Sequence, residues 1–216
     1  MKRVVVILLL ISSILFCSCS SNKIGTSSLS SIDKEDFINT HNEKLMINGI
    51  KVIKQDISCG YAVIEMFSSW CGDELITEEA LYNEYGKVVT STGKNFEKEM
   101  NKRFNDFSTV MNKNLESETL LDLSYKSLQK GIPVPFEWAA KLDDKWTLHY
   151  SLIVGMDFEN DVITVLNPYG YIEEVGVLEF ISRTSYEAYE NMPFFFKMAF
   201  ACGIFEKNTI FLVSRR

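Results

Sequence analysis

The chain has 216 residues, 46% of them hydrophobic and 24% charged, with a formal charge of −7. That apolar fraction supports a sizeable core and one domain, two at most, and excludes a disordered chain. The acidic balance gives no footprint for nucleic acid, five cysteines are too few for a disulfide-built fold, and two histidines, His41 and His149, exclude a His-rich metal centre.

Lys2 and Arg3 precede an apolar run from Val4 to Phe16, a charged region and a hydrophobic region of signal-peptide length. The run is short of the ~20 residues a membrane-spanning helix needs. Cys17 and Cys19 follow, and only Cys19 has a small residue, Ser18, before it. The segment resembles a bacterial lipoprotein signal over residues 1–18, with Cys19 as the acylated residue. An ordinary cleaved secretory signal is the alternative. Loss of Lys2 and Arg3 takes the formal charge from −7 to −9. Residues 19–44 are rich in serine and polar side chains near their start and read as a flexible tether. The expected setting is therefore the extracytoplasmic face of a cell membrane, held there by lipid.

The domain is expected over 45–216. Met46–Ile53 reads as a short β-like lead-in. Cys59–Trp70 reads as a helix, because Ala62, Val63, Met66, Phe67 and Trp70 recur at helical spacing, with Ser58 as its N-cap. Thr77 caps a second helix that ends before Gly86. A third is expected over Lys94–Phe104, and a fourth over Ser117–Lys130, stopped by Gly131. The second half changes character. Ile132–Trp138 reads as a strand that Pro133 and Pro135 place at an edge or a strand start. Thr147–Met156 and Val162–Leu166 are strands joined by a polar hairpin. Tyr171–Val177 adds a strand, Leu178–Glu190 a weak helix, and Asn208–Ser214 a closing strand. Helices first and antiparallel strands afterwards give an α+β domain.

Three groups of residues carry candidate chemistry. Cys59, followed by Gly60, opens a helix, where unpaired N–H groups and the helix dipole favour an anion such as a thiolate. Gln55 offers an amide to an oxyanion. His149 lies near the start of an apolar strand that would hold a general base rigidly. Asn167 ends the next strand, where its side-chain carbonyl would orient an imidazole. Taken singly, each also fits a structural role: a buried cysteine, a hydrogen-bonded histidine and an Asn-Pro turn. His149 and Asn167 share a face of the hairpin if its loop has an odd number of residues. A two- or four-residue loop puts them on opposite faces, barring a bulge.

Taken together, Gln55-Asp56-Ile57-Ser58-Cys59-Gly60-Tyr61-Ala62, His149-Tyr150-Ser151-Leu152-Ile153-Val154-Gly155 and Asn167-Pro168-Tyr169-Gly170 resemble the C39-like branch of the papain-like cysteine peptidases, over residues 46 to 180. The resemblance implies a papain-like fold, helices packed on a C-terminal antiparallel sheet. It also implies a peptide or protein substrate, no cofactor and no metal. By family role Cys59 would be the nucleophile, His149 the base and Asn167 its orienter. Gln55 and the Cys59 N–H would form the oxyanion hole. Gln55 precedes Cys59 by four residues where six is commoner in that family, and Asn167 stands where Asp is frequent. Two alternatives stay open: a cell-wall peptide hydrolase resembling the NlpC/P60 group, and a papain-like surface module that binds without turnover. Cys71 and Cys202 read as buried thiols or as a disulfide pair, Glu173-Glu174 as a solvated strand face. The Phe194-Phe195-Phe196 run reads as core or as groove lining.

Overall fold

A computed structural model describes residues 34–216; the expected signal over 1–18, Cys19 and the tether as far as residue 33 lie outside the described residues. The last part of the segment read as tether is packed. Lys34–Thr40 form helix α1, which puts Phe37 and His41 four apart on one face. The His41 ring stacks on Phe37 at 4.1 Å and meets Tyr125 edge-on at 4.8 Å. His41 Nε2 lies 3.1 Å from Asp122 Oδ1. A helix of under two turns is too short to show a hydrophobic period, so composition hid it. Leu45–Met46 form β1, the two-residue remnant of the expected lead-in strand.

The helices of the first half form where their caps direct. Ser58 accepts from the Tyr61 N–H and starts α2, Cys59–Cys71, and Gly72 closes it in the left-handed conformation. Thr77 and Gly86 do the same for α3, Glu78–Tyr85. Helix α4 spans Gly93–Arg103. Strand β2, Phe107–Asn112, follows; its mixed burial gives no clean alternation, and the sequence did not announce it. Helix α5 covers Ser117–Gln129.

Strands β3 (Val134–Leu142), β4 (Lys145–Asp157), β5 (Val162–Asn167) and β6 (Tyr171–Val175) come next. Helices α6 (Val177–Thr184) and α7 (Phe194–Ala201) and strand β7 (Thr209–Arg215) complete the chain. The sheet is antiparallel in the order β2-β7-β3-β4-β5-β6, with β1 pairing β4. This is the expected α+β fold of helices on a large antiparallel sheet. The helices divide between its faces. Helix α2 packs through Tyr61, Ile64 and Phe67 against Leu152 and Phe211 on one side. Helices α5 and α6 pack through Leu121, Leu128 and Phe180 against Phe136 and Ile153 on the other.

Strand β3 is internal, flanked by β4 and β7, not an edge. Pro133 precedes it. Pro135 faces Leu152 on β4, whereas pairing with β7 begins only at Phe136, so the missing N–H disrupts no ladder bond on that side. Cys71 and Cys202 are free and exposed, neither buried nor bonded to each other. In the aromatic run, Phe194 is 77% and Phe195 73% exposed, while Phe196 turns inward and packs on the Tyr186–Tyr189 cluster.

Candidate active site

The β4–β5 hairpin decides whether the site assembles. Asp157 pairs with Val162, so the loop is the four residues 158–161. An even loop alone would set His149 and Asn167 on opposite faces. Val154 corrects the parity: Gly155 pairs with Thr164 but Ile153 with Val165, so β4 carries one extra residue there. Beyond this bulge Leu152 faces Leu166. The register continued brings Asn167 opposite Ser151, two residues from His149 and on its face. The Val154 carbonyl is used as well, accepting the Ile47 N–H at 2.8 Å just past β1.

His149 Nε2 lies 3.0 Å from Asn167 Oδ1. The amide orientation is fixed by its neighbours. Oδ1 also accepts the Tyr169 N–H at 2.9 Å, while Nδ2 donates to Glu173 Oε2 at 2.6 Å. An oxygen that only accepts requires the proton on Nε2, which leaves the Nδ1 lone pair of a neutral His149 unprotonated. The ring stacks on Tyr169 at 4.3 Å. Burial lowers the His149 pKa to about 4, against the hydrogen bond it donates to Asn167, which acts to raise it, and with nearby Arg183, which also lowers it.

The line of contacts continues behind Asn167. Glu173 Oε1 accepts from Arg183 Nη1 at 2.5 Å, and Arg183 Nε donates to the Ala139 carbonyl at 2.8 Å. The guanidinium lies 3.4 Å over the Trp138 ring. Glu173 is thus not on a solvated face. It shares its side of β6 with Tyr171 and buried Val175, an alternation that pointed inward, whereas Glu174 is the exposed one. Arg183 is buried on α6, and no short-range signal distinguished it.

Cys59 sits at the first residue of α2 and lines a cavity of about 270 Å³ together with His149. Backbone N–H groups of Tyr150, Gly60 and Cys59 itself act on the sulfur to lower its pKa, as a helix start should. Burial outweighs them, and the thiol is pushed up rather than down. Gly60 is required there: a Cβ would come 2.8 Å from Thr90 Cβ. The loop before Cys59 is clamped by a residue the sequence did not single out. The Glu78 carboxylate, at the start of α3, accepts the Asp56 N–H at 2.8 Å and the Ser58 N–H at 2.9 Å. Its own N–H is held by Glu65 at 2.8 Å.

Gln55 is drawn to the same corner by its backbone, whose N–H donates to the Pro168 carbonyl at 2.7 Å. Its side chain makes no hydrogen bond among the described residues, and its Oε1 is buried. Gln55 does not line the cavity that Cys59 and His149 share. Among the described residues no cluster of His, Cys, Asp and Glu is arranged to hold a metal.

A family model described as the Peptidase_C39 like family matches residues 47–194, more than half of the chain. Among solved structures, the chain is similar in fold to a double glycine motif protease from an AMS/PCAT transporter, solved in complex with the leader peptide. That match has a TM-score of 0.50 and 13% identity, over 81% of this chain and 99% of that one. None of the curated proteins matches.

Proposed function

This chain belongs to the Peptidase_C39 like family and is a cysteine peptidase of papain-like fold, and from that premise we propose that Cys59, His149 and Asn167 form its catalytic triad on a peptide substrate. The observation that carries the reading is the hydrogen bond from His149 Nε2 to Asn167 Oδ1, with His149 and Cys59 on one cavity. With the thiol pKa raised and the imidazole pKa lowered to about 4, the resting pair is thiol and neutral imidazole. Substrate brings a carbonyl to Sγ. As the S–C bond forms, the thiol proton passes to Nδ1 of His149, and Asn167 holds the imidazolium by its Nε2–H. The developing oxyanion lies at the start of α2, where the Cys59 N–H and the helix dipole favour negative charge. Gln55 is the candidate second donor. The imidazolium then protonates the leaving amine as the C–N bond breaks. Water, deprotonated by His149, hydrolyses the thioester and frees Cys59.

We further infer that residues 1–18 are a lipoprotein signal, that Cys19 is lipidated, and that the domain works at the extracytoplasmic membrane surface. The charged and apolar pattern of the first nineteen residues supports this.

Cys71 and Cys202 are exposed thiols, so the test of the triad uses a Cys71→Ser/Cys202→Ser background. A peptidyl electrophile should modify that protein at Cys59 and should not modify the further variants Cys59→Ala and His149→Ala. Equal modification with and without His149 overturns the base assignment.

A further inference from the structure

The mechanism leaves one buried acid on the Cys59 cavity unused. Glu137 lies on β3, opposite Tyr150 on β4, is 8% exposed, and lines the cavity with Cys59 and His149. Among the described residues it makes no ion pair: Lys113 is taken by Glu206, and Lys94 pairs with no acid. The charged group that acts on Glu137 is Glu206, another acid. Two further acceptors line the cavity. Thr90 Oγ1 is buried with no hydrogen-bond partner among the described residues, and the buried Tyr150 hydroxyl is turned to the Glu137 carboxyl, with which it interacts. A buried carboxyl that has a tyrosine hydroxyl but no cation beside it, next to an unpartnered threonine hydroxyl, is costly unless a ligand supplies further donors.

From this juxtaposition, and resting on the peptidase reading above, we propose that Glu137, Thr90 and Tyr150 form a specificity pocket for a cationic side chain of the peptide substrate, an arginine or a lysine. A guanidinium or ammonium has donors only and meets all three oxygens. The wall includes Tyr186, Phe196 and Phe205, aromatic surface suited to the methylene stem. The cavity of about 270 Å³ is smaller than the roughly 300–1,000 Å³ of whole-ligand pockets and suits one side chain. Glu137 and Phe205 also line the adjoining cavity with Gly93 and Ile204, so a long side chain entering beside Cys59 meets the carboxyl at the join. Burial raises the Glu137 pKa to about 7, against the hydrogen bond with Tyr150, which acts to lower it.

The test uses the full chain carrying Cys59→Ala and alanine hexapeptides with one arginine at each position in turn. Each is paired with its citrulline counterpart, which has the same shape without the charge. At one position arginine should bind at least tenfold tighter than citrulline, and Glu137→Gln should bring that ratio close to one. No position showing the gap, or a gap that survives Glu137→Gln, overturns the pocket; the first comparison stands whether or not the variant folds. Cleavage of the same peptides by the wild-type chain separates the two readings. A Glu137-dependent gap without cleavage upholds the pocket and defeats the triad, and cleavage without the gap does the reverse.

Discussion

Arg183→Met is the sharpest structural perturbation, because it removes the far end of the line that orients His149. The Arg183 and Glu173 side chains are 5% and 18% exposed, and they pair at 2.5 Å. Breaking a buried pair by removing one partner costs about 3–5 kcal/mol. A guanidinium over an aromatic face adds about 1–2 kcal/mol when desolvated, here over Trp138 at 3.4 Å. Glu173 keeps some contact with water, which brings the pair to its low end and the total to about 4 kcal/mol. For a domain of this size that is a fall in Tm of roughly 8–16 °C. Urea unfolding followed by tryptophan fluorescence measures it. Adding Glu173→Gln removes the stranded carboxylate and should recover about 1–3 kcal/mol as coupling. Peptide hydrolysis should return in part, because the amide oxygen at that position still accepts from Asn167 Nδ2. A single-variant cost below about 1 kcal/mol, the usual worth of an exposed pair, or no recovery in the double variant, refutes the reasoning.

The buried ionisable groups give pH dependences of opposite sign. His149 is held neutral, with its pKa lowered to about 4, so the unfolded chain binds more protons below about pH 6.5. Stability should fall by about 3 kcal/mol from there to pH 4, and denaturant titrations should show that slope lost in His149→Gln. Glu137 has its pKa raised to about 7, so its burial cost appears as pH rises through 7. Glu137→Gln should be more stable than wild type by about 3 kcal/mol at pH 8 and no more stable at pH 4; equal gains at both would contradict its burial as an acid. Glu78→Ala leaves the Asp56 and Ser58 N–H groups without their acceptor. It should cost about 2–4 kcal/mol and lower kcat more than it raises KM, because the Cys59 loop loosens. Unchanged kinetics would show that the clamp does not position Cys59.

Local signals carried much of this structure. Ser58, Thr77, Gly72 and Gly86 act where capping chemistry puts them, and the apolar runs of β4 and β5 are strands. What depended on distant partners was not legible. Strand β2 is a strand because β7 pairs with it over six residues, and α1 exists because Phe37 and His41 meet Tyr125 and Phe158. Of the site, the residue types and their order were readable. The meeting of His149 with Asn167 turned on a single extra residue, Val154, that no periodicity reveals. The Cys59 thiol shows the same dependence on distant packing. The helix start was visible, but the burial that outweighs it comes from the packed fold. Glu78, Glu173 and Arg183 act through contacts 6 to 44 residues away in sequence, which no local periodicity reports.

In the proposed reaction Cys59 carries the acyl group. Rapid-quench mass spectrometry on the full chain, with a peptide ester that acylates faster than it deacylates, tests it most directly. A transient adduct of the acyl mass is expected on the peptide containing Cys59, absent in Cys59→Ala and slowed at least a hundredfold in His149→Ala. Turnover of the ester with no adduct at Cys59, or an adduct formed as fast without His149, would contradict it.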